Sequence, residues 1–174
     1  MCFDEFGPVE VRPYAGSAWA RKKKPVRHRA TYTRTHGVRY YFAAYDVHED
    51  KLWMHRKARK RTSEALEFIQ AIRRRYSDGR RIYLVLDNLS THKHAYVVYW
   101  CSQHNIELVF TATNASWMNR IESHFAPFRR FVLDNSDYAS HDAIAKAAQD
   151  YIRWRNRDSK NKRILKEQKS IRTL

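Results

Sequence analysis

Three acidic residues in this chain of 174 residues are placed where carboxylates can work together. Asp87 closes the apolar run Ile82 to Leu86. Glu122 follows in ASWMNRIE, with 34 residues between the two acids. Asp4 stands near the start, in CFDEFG. Carboxylates gathered in one place repel, and their pKa values rise unless a cation lies among them. Hard oxygen donors of this kind suit Mg²⁺ or Mn²⁺. Two such ions about 4 Å apart can activate a nucleophile and stabilise the leaving oxygen of a phosphodiester. Each acid also has an ordinary use: Asp87 can end a strand and cap the next helix, Asp4 can belong to a turn, and Glu122 can face solvent on a helix. Glu5 competes with Asp4, but adjacent strand residues face opposite ways, so only one of them can point into a site.

For the acids to meet, the intervening elements must bring them together. Ile82 to Leu86 is continuously apolar between charged and turn residues, the pattern of a strand buried on both faces. An acid at the end of such a strand lies at the carboxyl edge of the sheet, where open α/β sheets bind ligands. Met1 to Phe6 reads as the end of a strand. Val38 to Val47 is aromatic and β-branched, and Lys51 to Lys57 should pair with it as a hairpin. Leu66, Ile69, Ile72 and Tyr76 recur at helical spacing, with Thr62 or Ser63 as cap and Asp78-Gly79 as stop. A helix from Lys93 to His104, a strand from Ile106 to Phe110 and a helix from Ser116 to about Leu133 follow, the last kinked or split at Pro127. A final helix, capped by Ser140, runs from about His141 to Arg155. The order predicts an α/β fold: a mixed five-stranded sheet, three antiparallel and two parallel strands, flanked by helices. Residues 1–156 form the domain, 12–37 a basic insertion, and 157–174 a charged tail.

Composition narrows the partner. The net charge of +16 comes from 34 Lys and Arg against 18 acids, and such a surface seeks polyanions, nucleic acid first. Arg21, Lys22, Lys23 and Lys24, and Arg56, Arg59, Lys60 and Arg61, are the clusters placed to follow a DNA backbone, with solvated surface tracts as the alternative. Trp117 can stack on a base, or serve a core or a partner contact. No apolar run reaches the roughly 20 residues of a membrane span. No secretory signal is visible at the start. Cys2 and Cys101 lack CxxC spacing, which argues against a zinc site or disulfide scaffold and fits a reducing compartment.

DNLSTHK, followed by the glutamate of ASWMNRIE, resembles the catalytic domain of DDE transposases, nearest to bacterial insertion-sequence enzymes related to mariner elements. The likeness covers nearly the whole chain, with CFDEFG as a weaker first motif. It implies an RNase H-like fold, Mg²⁺ or Mn²⁺ (two ions), and metal-dependent hydrolysis and strand transfer of DNA. Asp4, Asp87 and Glu122 are then the catalytic metal ligands. Asn88 and His92 would orient a bound water or phosphate, and Asn119, one helical turn before Glu122, would support the site. Arg120 stands where the family often has proline. The resemblance further implies a homodimer on DNA, in the bacterial cytoplasm at the nucleoid. The family's upstream helix-turn-helix modules are not visible, so the chain reads as a catalytic half: a fragment, a split-frame product or a decayed remnant. Two other readings remain open, a non-catalytic DNA-binding relic and an RNase H-like nuclease on RNA–DNA hybrids.

Overall fold

The computed structural model describes residues 1–17, 19–24, 27, 35–113 and 115–159. Its centre is one sheet of five strands: β1 (Cys2–Glu10), β2 (Val38–Asp46), β3 (Lys51–Lys57), β4 (Ile82–Leu86) and β5 (Ile106–Phe110). The strand order is β3-β2-β1-β4-β5. β1 pairs antiparallel with β2, and β2 with β3; β4 runs parallel to both β1 and β5. This is the mixed sheet expected from the order of elements, and the RNase H-like arrangement that the resemblance implies.

β1 is longer than the sequence pattern indicates. Gly7-Pro8, just past the expected end at Phe6, lies inside the strand, and the register with β2 shifts between Phe6 and Val9. Gly7 has φ 145°, and a Cβ there would stand 3.1 Å from the Tyr40 ring and 3.2 Å from the Arg39 carbonyl oxygen. A glycine can occupy this bulge; a larger residue would have to displace its neighbour strand.

Helices cover both faces. On one face lie α1 (Thr62–Arg75) and α2 (Ala95–Gln103), which bury Phe68, Ile69 and Val97 against Phe3, Phe42 and Leu84. On the other face lie α3 (Glu122–Phe128) and α4 (His141–Asp158), with Phe128, Ile144 and Tyr151 packed on Tyr41, Tyr45 and Leu52. α1 begins after Arg61 with no side-chain cap, so neither Thr62 nor Ser63 caps it. α2 starts two residues later than expected, capped by His94, whose Nδ1 accepts from the Tyr96 amide at 3.3 Å. Ser140 caps α4 as predicted, accepting from the Ala143 amide.

The helix expected from Ser116 to about Leu133, kinked or split at Pro127, is broken at Asn119 as well as after Pro127. It is three pieces: a 3₁₀ turn (Ser116–Met118), then α3, then a π turn (Arg129–Leu133). The first break is at Asn119, whose backbone is extended (ψ 109°) while its side chain turns into the core. Pro127 sits inside α3, where its missing N–H deprives the ladder of a bond, and the wider π turn begins two residues on.

α4 is tied to the β2–β3 turn by a buried ion pair. Arg155 donates to both the carboxylate and the carbonyl oxygen of Asp50, and the Asp50 carboxylate also accepts from the Tyr45 hydroxyl at 3.0 Å. One residue on, the Asn156 amide bonds the backbone N–H and C=O of Leu52 at 2.9 and 2.8 Å, as a neighbouring strand would. α4 itself ends at Asp158. Much of the basic tract from residue 25 to 34, and the tail from residue 160, fall outside the described residues.

Candidate active site

The parallel pairing of β1 and β4 decides where the acids go. Cys2 is level with Val85. Two residues further on, in the same direction and toward the same face, come Asp4 within β1 and Asp87 just past the end of β4. Glu122 opens α3, which packs on that face through Ile121 and Phe128. All three acids line one open cleft of about 580 Å³, together with Arg12, Tyr14 and Arg129.

Asp4 is buried, and its Oδ1 accepts the Glu5 amide proton at 2.7 Å. Burial pushes its carboxyl up to about 7; the hydrogen bond opposes this, and the negative charges of Asp87, Glu5 and Glu122 add to it. Asp87 accepts at Oδ1 from the Leu89 amide at 3.2 Å. Among the described residues neither Asp4 nor Glu122 is paired with a lysine or arginine. Also among the described residues, no three acidic, imidazole or thiol groups are gathered closely enough to hold one metal ion as they stand. The donor set nonetheless fits a hard divalent ion: carboxylate oxygens share one cleft, and the Asp4 carboxyl is pushed up by burial and further by the negative charges around it, which a cation would relieve.

His92 lies beneath this edge, fully buried, with its ring 5.0 Å from that of Phe3. Its Nε2 donates to Glu5 Oε1 at 2.9 Å. Its Nδ1 stands 2.9 Å from Asp87 Oδ1 and donates to the Asp87 carbonyl oxygen at 3.4 Å. Both nitrogens thus face oxygen acceptors, an arrangement that favours the imidazolium. Burial, the largest single influence, opposes that charge; the hydrogen bond and charge of Glu5, with Asp87, outweigh it and hold the His92 pKa above its ordinary value.

The other predicted site residues are placed as follows. The Asn88 amide donates to the Thr111 carbonyl at 2.6 Å, tying the end of β4 to the residue after β5. Asn119 does not share a helical face with Glu122, because the chain breaks between them. Its buried side chain donates to the Phe3 carbonyl at 2.8 Å, and its own carbonyl accepts from the Glu122 amide at 3.1 Å, linking α3 to β1. Trp117 is exposed rather than in a core. Arg21, Lys22, Lys23 and Lys24 form an exposed turn, with Lys23 at φ 64°. Arg56 pairs with Asp142 at 2.7 Å, and Lys60 pairs with Glu5, whereas Arg59 and Arg61 have no acidic partner among the described residues. Glu5, Arg12 and Arg129 were not singled out as site residues by spacing. For Glu5 the strand alternation held the signal, since it marked the residue as facing away from Asp4.

A family model described as DDE superfamily endonuclease matches residues 1–145. The chain belongs to the DDE superfamily of endonucleases. Comparison with curated proteins finds none that matches in sequence. The DDE endonuclease fold is also similar to solved chains of mariner transposase complexes. One is a Mos1 transposase paired-end complex with left transposon end: TM-score 0.65, 15% identity, covering 89% of this chain and 50% of that one. The mariner Mos1 paired-end complex with Mg gives TM-score 0.67 at 14% identity, covering 87% and 47%. The complex with Mn gives 0.65 at 14%, covering 89% and 50%. The DDE endonuclease chain thus spans about half the length of these solved chains.

Proposed function

We propose that this DDE endonuclease is the catalytic domain of a transposase. It hydrolyses a DNA phosphodiester at an element end and then joins the freed 3′-hydroxyl to a second DNA. The observation that carries the reading is the register of β1 on β4, which sets Asp4 beside Asp87 at the edge that α3 closes with Glu122. Asp4, Asp87 and Glu122 would hold Mg²⁺ or Mn²⁺. When bound, such ions supply Lewis-acid polarisation of the phosphate and a nucleophile activated at neutral pH. The chain's own residues perform the rest. His92 and the Leu89 amide fix one oxygen of Asp87. Asn119 holds the start of α3 against β1. Arg12 and Arg129, on the same cleft, bring positive charge to meet a DNA phosphate. The +16 surface retains the remaining backbone, and two copies acting on paired ends complete the reading. The similar mariner Mos1 paired-end complexes with Mg and with Mn support the choice of ion.

The test is cleavage of DNA carrying element ends with Mg²⁺ or Mn²⁺. The parent should nick it, and Asp87→Asn should lower the rate by at least about 10³-fold, as loss of a group central to catalysis does. Equal rates would overturn the reading. A second reading, a DNA-binding relic without catalysis, is favoured by the acids not being gathered to hold an ion as they stand. It predicts salt-sensitive DNA binding that Glu122→Gln leaves unchanged, and no carboxylate-dependent heat on titration with Mn²⁺.

A further inference from the structure

A second carboxylate system lies behind the first, on the other side of β1. Glu5 follows Asp4 in the strand and so faces the α1–α2 layer, beside Phe3. Its side chain is 1% exposed, an expensive place for a charge without partners. It has two. Oε1 accepts from His92 Nε2 at 2.9 Å. Oε2 lies 3.1 Å from Lys60 Nζ, an ion pair that lacks hydrogen-bond geometry. His92 continues the row to Asp87, whose Oδ1 and carbonyl oxygen it holds from below. The result is a line of alternating charge: Lys60, Glu5, His92, Asp87. It crosses β1 at Glu5 and ends on an acid of the cleft. With Oδ1 engaged by His92 and Leu89, Oδ2 of Asp87 is left without a protein partner among the described residues.

We infer that Glu5 is a positioning residue for the active site: through His92 it locks the Asp87 carboxylate in one orientation, so that a single oxygen is presented to a divalent ion. The inference rests on the proposed metal site. It also explains why Lys60 sits among basic residues yet turns inward: its charge balances Glu5. Partners of this kind behind a metal ligand typically govern about 10- to 100-fold in metal affinity.

The experiment uses the whole chain and Mn²⁺ alone, by calorimetry without DNA, for the parent, Glu5→Gln, Lys60→Met and Asp87→Asn. Glu5→Gln should weaken Mn²⁺ about 10- to 100-fold with unchanged circular dichroism. Lys60→Met should weaken it less, and Asp87→Asn most. The imidazole N–H signals of His92 give a measure that needs no variant: titrating Mg²⁺ into the parent should shift the Nδ1–H resonance. Parent-like Mn²⁺ affinity in Glu5→Gln, or a His92 signal indifferent to Mg²⁺ in a parent that binds it, overturns the positioning role alone. If parent and Asp87→Asn take up Mn²⁺ equally, the metal site itself is overturned, and the inference with it. Should Glu5→Gln not fold, the Lys60→Met affinity and the parent His92 signal decide.

Discussion

At the scale of single residues, the cleft trades stability for charge. Asp4 is raised from an ordinary carboxylate value to about 7 by burial and by the acids around it. Its unfolded value lies near 3.9. Between those pH values the folded chain binds a proton that the unfolded chain has released, so stability falls as pH rises from about 4 to about 7. The contribution is fully present below the unfolded value and lost above the folded one. In metal-free protein held in a chelator, Asp4→Asn should therefore flatten the decline of Tm over that window and raise Tm at pH 8. Thermal melts across pH would show it; parallel curves for parent and variant would contradict it. The same substitution should abolish Mn²⁺ uptake, so a gain in stability would accompany loss of the site.

At the scale of elements, two contacts set the position of α3 and α4. Phe128, fully buried at the end of α3, meets Phe6 at 5.0 Å, Tyr41 at 5.4 Å and Tyr151 at 5.9 Å between ring centroids. Phe128→Ala should cost about 3–5 kcal/mol, read from urea unfolding. Because α3 also carries Glu122, the variant should lose cleavage beyond what its folded fraction explains. Arg155 is nearly buried against Asp50, so Arg155→Ala strands a charge and should cost about 3–5 kcal/mol. The paired change Arg155→Met with Asp50→Asn should recover part of that loss. These elements show how far periodicity carries. Met118, Ile121, Phe125 and Phe128 share helical spacing, and that spacing is blind to a break at Asn119, which arises because a distant carbonyl, that of Phe3, draws the Asn119 side chain inward. β1 likewise looked to end at Gly7-Pro8, because a bulge accommodated by Tyr40 on the next strand leaves no trace in local sequence.

At the scale of the whole molecule, charge governs association. Lys57, Arg56 and Lys60 are each committed to an acid, whereas Arg59 and Arg61 are exposed without one among the described residues. DNA affinity should fall steeply with salt. Replacing Arg59 and Arg61 together by alanine should lower the slope of log K against log salt by about 2, whatever the DNA sequence. Arg56→Ala should change it less. Fluorescence anisotropy over a salt series reads both. No helix among the described residues is long and apolar enough to cross a membrane.

What the sequence determined by itself was the inventory: strand and helix periods, their order, the sheet class and three acids at element ends, because these depend on residue type and near neighbours. The tertiary structure decided which acids share a face, since that follows from the level at which β1 meets β4. It also decided the roles of Glu5 and Lys60, which depend on the fold bringing His92 back beneath the sheet. Alternation along a strand says that Glu5 points away from Asp4; only packing supplies what waits there to receive it.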